Sequence, residues 1–280
     1  MVANARVGQS NTVAETAGPA LGGLLLSVIG PSWLFALDGL VNVVAAVLQS
    51  RIRVHEPRPA RREAGRHVGH DIAGGVRFTY RHRTLRPLAL SVHVWFLGNS
   101  IVTTTFGVYA LRHLGLPDWG FGLVLAAGGV GGFLGALLAP RLGAVLGAGR
   151  AILCGRALIV LPWLALALLP LSATMDLRLG LPVAAGALFL SSLAMGIEDT
   201  NDISYRQAIA PDEIQGRMNA TIRTANRVVF FFGALATGVL MTLLGFAATI
   251  GIGALVFILA AAIVLFSPLR TVRHEDETDR

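Results

Sequence analysis

VVFFFGALATGVLMTLLGFAATIGIGALVFILAAAIVLFS, residues 228–267, carries no charged side chain over 40 positions. As helix the run would be about 60 Å long. A bilayer's hydrocarbon core is about 30 Å thick, so the run holds two crossings rather than one. Gly245 stands near the expected fold-back point. The wider stretch 219–268 has an echo near the other end of the chain. Shifted back by 215 positions without a gap, Asn219-Ala220 falls on Asn4-Ala5 and Asn226 on Asn11. Gly233, Gly238 and Gly245 fall on Gly18, Gly23 and Gly30, and Leu255-Val256 on Leu40-Val41. Twelve positions are identical over residues 4–48, where a chain this rich in Ala, Leu and Gly gives roughly four or five by chance. A pair of helices therefore occurs twice.

Hydrophobic residues make up 54% of the chain, charged residues 14%, and the mean hydropathy is +0.66. The apolar residues come in long blocks, which is the pattern of an all-α membrane protein. A net charge of +7 raises the possibility of nucleic acid as a partner. The basic residues cluster between apolar blocks instead of forming a patch with interleaved aromatics, which excludes that reading. The single cysteine, Cys154, leaves no internal disulfide and no thiolate metal site. The scattered histidines form no metal motif, and no cofactor is expected. The first residues, MVANARVGQSN, are polar and run into a crossing with no small-residue cleavage site, so no cleavable signal peptide is expected.

Eight crossings are predicted, at about 10–29, 31–50, 87–111, 120–142, 150–171, 181–204, 224–244 and 247–267. An even number puts both termini on one side. Of the 23 arginines, 21 fall on that side, Arg156 among them, and only Arg112 and Arg178 fall on the other. By the positive-inside rule the termini are cytoplasmic and the protein is a multi-pass resident of the cell membrane. Trp33 and Trp119 fall at the outer ends of their helices, where amphipathic rings favour the interface. The long polar interruption, 51–86, reads as a linker between two bundles. Its first part, VHEPRPARREAGRH, is charged and contains proline. Its second part, DIAGGVRFTYRHR, puts Ile72, Val76 and Tyr80 at helical spacing, as in an amphipathic helix lying on the inner membrane surface. The expected divisions are a two-helix remnant over 1–52, the linker over 53–85, a six-helix bundle over 86–269 and a charged tail over 270–280.

The segment AETAGPALGG, residues 14–23, sets small residues at 14, 18 and 22 in one groove for close helix approach, and Pro19 bends the helix. It resembles the antiporter motif in the fifth helix of the major facilitator superfamily. The core Gly18, Pro19, Gly22, Gly23 is intact, while Ala5 and Ala14 replace glycines of that pattern. DIAGGVRFTYRHRTLRPLAL (71–90) resembles the segment leading into the seventh helix of exporters related to the enterobactin and macrolide efflux proteins. YRQAIAPDEIQGRMNATIR (205–223) resembles the signature between the tenth and eleventh helices of the same subgroup. The likeness runs from the fifth helix to the twelfth and implies a major facilitator fold whose first four helices are missing. A fragment, or a gene model begun at an internal Met, is the expectation; a counterpart of the second bundle's start would lie about 130 residues before Met1.

GALLAPRLG (135–143) occupies the turn between the eighth and ninth helices, where the superfamily often has an acidic residue. Nothing acidic lies between Trp119 and Met175, so Arg141 and Arg150 read as topology-setting charges. Gly128, Gly132 and Ala136 form a small-xxx-small face, and no strand or acidic residue supports a dinucleotide fingerprint there.

Ionisable residues inside membrane helices are costly and are functional candidates by default. Glu15 lies in the first crossing, and Asp38 in the second with Asn42 one turn away. Asp38 faces either its bundle's interior or the outer vestibule. His93 and Asn99 lie in the seventh helix, where His93 reads as a hydrogen-bonded helix contact before a proton relay. Glu198, Asp199 and Asp202 crowd the inner third of the tenth helix, and Asp202 can pair with Arg206 by i, i+4 spacing as a surface ion pair. Glu15 and Glu198 either line a cavity or make buried packing contacts; for Glu198 the structural rival is pairing with Arg206 or Arg156. The resemblance implies secondary transport: proton-coupled efflux, by antiport, of a small, partly apolar molecule of drug or siderophore type, with Glu198 and Glu15 as coupling candidates. The rival is a truncated membrane scaffold or sensor that carries no flux. No nucleophile–base pair, metal cluster or phosphate loop can be assembled, so an enzyme is not expected.

Overall fold

A computed structural model describes residues 25, 29, 32–51, 68–169 and 177–272 of the 280. Among them the regular structure is entirely helical. Helix α1 spans Ser32–Ser50, α2 Val68–Arg81 and α3 Leu85–Val108, the last prolonged by a π-turn over Tyr109–His113. Then follow α4 (Asp118–Leu146), α5 (Ala148–Leu158), α6 (Val160–Leu168), α7 (Leu177–Ile209) and α8 (Asp212–Leu265), and a short 3-10 turn, Pro268–Thr271. Six stretches are long and apolar enough to cross a membrane; α5 and α6 count as one, and the last, Glu213–Leu265, is 53 residues long. That length is about 80 Å of helix, and Gly245 breaks it into two arms. Among the described residues seven crossings result, against the eight expected of the whole chain. The crossing expected at 10–29 lies outside the described residues, apart from Leu25 and Ile29, which are helical. The motif Gly18, Pro19, Gly22, Gly23 and the candidate Glu15 lie outside them too.

Two glycines turn the chain with almost no loop. Gly245 has φ 77° and ψ 175°, and Gly147, alone between α4 and α5, has φ 85° and ψ 155°. A Cβ is barely tolerated in that region of backbone space, so only glycine reverses the chain there without strain. The break at Ile159 between α5 and α6 has another cause. Pro162 has no N–H to donate to the carbonyl of Leu158, so the helix loosens one turn earlier. Several helices overshoot the sequence-based bounds. The added turns, such as 205–209 and 212–223, are polar and extend past the roughly 20 residues that a hydrocarbon core needs.

Small residues decide which helices pair. α4 lies along α7, and a Cβ on Gly131 or Gly135 would collide with the carbonyls of Phe189 and Leu193. Gly196 of α7 answers with its own close approach to the backbone of Gly132, 2.5 Å for an added Cβ. The glycine face is therefore centred on Gly131 and Gly135, one residue away from the expected Gly128–Gly132–Ala136 row. Backbones brought this close gain dispersion and weak Cα–H bonding that lipid cannot supply. α3 runs along α8, with Gly98 against the Phe257 ring and Gly253 against Val102. One half of the core holds Trp95, Phe106, Trp163 and Phe257, with Phe106 and Trp163 edge to face at 5.6 Å. The other half holds Leu85, Leu88, Tyr205, Met218 and Leu269. Exposed apolar residues such as Leu137 on α4 and Leu243 on α8 point away from it. In water such a surface would aggregate; in a bilayer it is the lipid contact.

Helix α2 lies on α8. Gly75 allows it to touch the Arg217 carbonyl region, where an added Cβ would come within 2.7 Å. Asp71 pairs with Arg217 at 3.3 Å and Thr79 is fully buried. Ile72 and Val76 remain exposed, and Tyr80 is half-buried.

Candidate functional site

Glu198 sits on α7 where α5 crosses it. The crossing is close because α5 presents Gly155, whose added Cβ would lie 2.8 Å from the Cβ of Glu198. The next residue, Arg156, extends its guanidinium into the contact. Its Nε lies 3.5 Å from Glu198 Oε2, and the two side chains are only 3% and 5% exposed. An Arg156 terminal N–H donates to the Ser91 carbonyl of α3 at 2.9 Å, and the Ser91 hydroxyl donates to the Ala260 carbonyl of α8 at 2.6 Å. The Trp95 indole nitrogen is buried beside the Glu198 carboxylate and makes no hydrogen bond among the described residues. Four helices thus meet at one buried acid–base pair.

Geometry makes the pair tight in place but loose in bonding. Arg156 Nε and Glu198 Oε2 are both buried and neither has a hydrogen bond among the described residues. Two charges removed from water need good geometry and satisfied lone pairs to break even. Here the distance is long, so the arrangement holds charge in readiness more than it cements the fold. The carboxylate can bind a proton, while the guanidinium stays charged.

One turn further along α7, Asp202 accepts from Arg206 at 2.8 Å. Asp202 is 4% exposed and the Arg206 side chain 13%. The expected surface ion pair is therefore a buried one, because α7 runs on past the sequence-based end at 204 and packs its inner turns. Asn201 donates to the carbonyls of Ala139 on α4 (3.1 Å) and Ile197 (2.8 Å). Asp199, the neighbour of Glu198, faces outward and is exposed, and its charge, like that of Asp202, acts on Glu198 through space.

His93 belongs to a separate chain of bonds. Its Nδ1 lies 2.6 Å from Asn226 Oδ1 on α8, and its Nε2 lies 2.7 Å from the Tyr80 hydroxyl on α2. An amide oxygen can only accept, so Nδ1 carries the proton and Nε2 accepts from Tyr80. Burial pushes the Tyr80 phenol above its ordinary value of 10.0, which keeps it a donor. The backbone carbonyl of Asn99 accepts from the Thr103 hydroxyl at 2.6 Å. Asp38 is exposed on α1, where the Asn42 amide donates to its carbonyl at 2.9 Å and to its carboxylate at 3.3 Å.

The structure brings Glu198, Asp199, Asp202 and Arg206 onto neighbouring turns of α7 and leaves Asp38, Asn99 and His93 elsewhere. Reading the sequence set Arg156 beside Arg206 as the rival pairing for Glu198, and also counted it among the cytoplasmic arginines; Arg156 is the one that lies against Glu198, and at 2% exposure it is a core residue. Ser91 and Trp95 were missed. The available signal was position: Arg156 lies eight residues after Ala148, about 12 Å into an otherwise apolar crossing. Asn226 had been visible as one of the repeated asparagines, and its role emerges only once α3 and α8 are side by side.

No curated protein and no solved structure matches the chain. The model of one family, described as transmembrane secretion effector, matches residues 2–280. With its membrane-length helices and its bundle packed on glycine faces, the chain belongs to that family of major facilitator transporters.

Proposed function

We propose that the chain exports a small, partly apolar molecule in exchange for protons, with Glu198 as the coupling carboxylate and Arg156 as its counter-charge. The observation that supports this most is the Arg156–Glu198 pair, an acid and a base enclosed where four helices of a transporter bundle meet. A proton reaching Glu198 cancels its charge. Arg156 is then a buried cation whose one remaining partner among the described residues is the Ser91 carbonyl, a state that costs several kcal/mol in a dry core. Water entry or movement of α5 against α7 relieves it, and either converts a titration into a shift between inward-open and outward-open forms. Asp199, exposed on the next position of α7, gives the proton a place of entry.

The loop motifs at 71–90 and 205–223 support placement with the exporters related to enterobactin and macrolide efflux proteins, and 14–23 supports antiport. In this reading residues 53–85 link the helices of 1–52 to the bundle of 86–269, and the 270–280 tail follows it. The arginine bias puts both termini in the cytoplasm and the chain in the cell membrane. Proteoliposomes loaded with a radiolabelled macrolide test the proposal. Glu198→Gln should abolish export driven by a pH gradient and leave counterflow exchange largely intact. A Gln variant that exports at the wild-type rate, with the wild-type pH dependence, removes Glu198 from the mechanism.

A further inference from the structure

The first arm of α8 carries a file of exposed residues at four-residue spacing: Arg223, Arg227, Phe231, Leu235, Val239. The last three are 63%, 66% and 59% exposed. Residues four apart are neighbours on one row inclined about 26° to the helix axis, so this is one continuous ridge that winds part-way round the helix, basic at one end and apolar along the rest. Counting about 20 residues back from the Gly245 turn puts the edge of the hydrocarbon near residue 225. Arg223 and Arg227 straddle that edge, at the depth of lipid phosphates, and the apolar part of the file lies at the depth of acyl chains.

The basic end is hollowed. An open groove of about 610 Å³ is lined by Gly216, Asn219, Arg223, Thr224, Arg227 and Val228, with no acidic residue in its wall. Neither arginine has a carboxylate partner among the described residues, whereas Arg156, Arg206 and Arg217 each have one. Two guanidiniums, an amide and a hydroxyl converge there. They match the oxygens of a phosphodiester, which accepts but cannot donate. We propose that this ridge is a binding site for one anionic phospholipid: the headgroup phosphate lies between Arg223 and Arg227, and an acyl chain runs along Phe231, Leu235 and Val239. Charge complementarity selects the occupant, since a zwitterionic lipid offers the same phosphate with a cation beside it. A surface-potential contribution of the usual size gives about five-fold preference per arginine, or about twenty-five-fold for the pair.

The test uses the full chain in nanodiscs holding equal amounts of phosphatidylglycerol and phosphatidylcholine, with retained lipid counted by native mass spectrometry. The wild type should keep phosphatidylglycerol preferentially, and Arg223→Gln with Arg227→Gln should reduce that preference about twenty-five-fold. The double Lys variant should retain most of it, and Arg270→Gln should leave it unchanged. Preference that survives in the double Gln variant, or that disappears equally in the Lys variant, overturns the proposal. If the double Gln variant fails to fold, the unmodified chain still decides: its preference should fall as sodium chloride is raised, and salt-independent retention counts against the site. Disulfide trapping of Phe231→Cys between two copies at high yield would show that protein covers the ridge, and would also overturn the lipid assignment.

Discussion

Replacing Arg156 removes the counter-charge of a carboxylate that water does not reach. Arg156→Gln should lower stability by about 3–5 kcal/mol, because Glu198 is left charged and unpaired. Arg156→Leu combined with Glu198→Leu should recover much of that loss, since neither buried charge remains. Thermal unfolding in detergent micelles measures both. A single variant that melts no lower than Arg270→Gln, which alters an exposed arginine, would mean the pair contributes nothing to the fold. Glu198 was legible from the sequence because a carboxylate in an apolar block is conspicuous. Arg156 was legible only as one of two rival partners, beside Arg206: it follows Arg150 near the start of a crossing, where arginines usually mark the cytoplasmic edge. The residue that distinguishes it is Gly155, and a glycine announces a close approach only after the approaching helix is known. Tyr80 was read as part of a membrane-facing row, yet its hydroxyl turns inward to His93.

Among the elements, the two arms of α8 depend on one backbone conformation. Gly245→Ala should cost about 1–3 kcal/mol, because φ of 77° with ψ of 175° is almost closed to a residue with a Cβ. Gly238→Ala is the matched control. It lies in regular helix with open space around its Cβ, and should be neutral or stabilising by up to about 1 kcal/mol. Equal effects of the two substitutions on the melting temperature would refute the tight reversal. The fold-back near Gly245 was readable because 40 uncharged residues exceed one membrane thickness. The division of α5 from α6 was not read, although Pro162 was in view. A proline inside a crossing bends some helices and breaks others, and which one happens is settled by packing around the freed carbonyl.

For the whole molecule, orientation is open to direct measurement. With Cys154→Ser as background, cysteines placed at Glu63 and at Pro117 should react with a membrane-impermeant maleimide from opposite faces in intact cells. The Pro117 site should label from outside and the Glu63 site only after permeabilisation, because ten arginines lie between 51 and 86. Labelling of both from outside would reverse the orientation. Within the bundle, the glycine contact between α4 and α7 has a mechanical consequence. Carbonyls and Cα atoms meet there with no side chain between them to compress or swing aside, so the two helices form a stiff strut. Whatever displaces Glu198 must carry all of α4 with it, a rod about 43 Å long. The outer surface of that rod, with Leu123, Val130 and Leu137 exposed, is therefore a brake point. A compound wedged against it from the lipid would immobilise the charge pair without touching it, which makes this greasy flank an inhibitor handle independent of whatever the transporter carries.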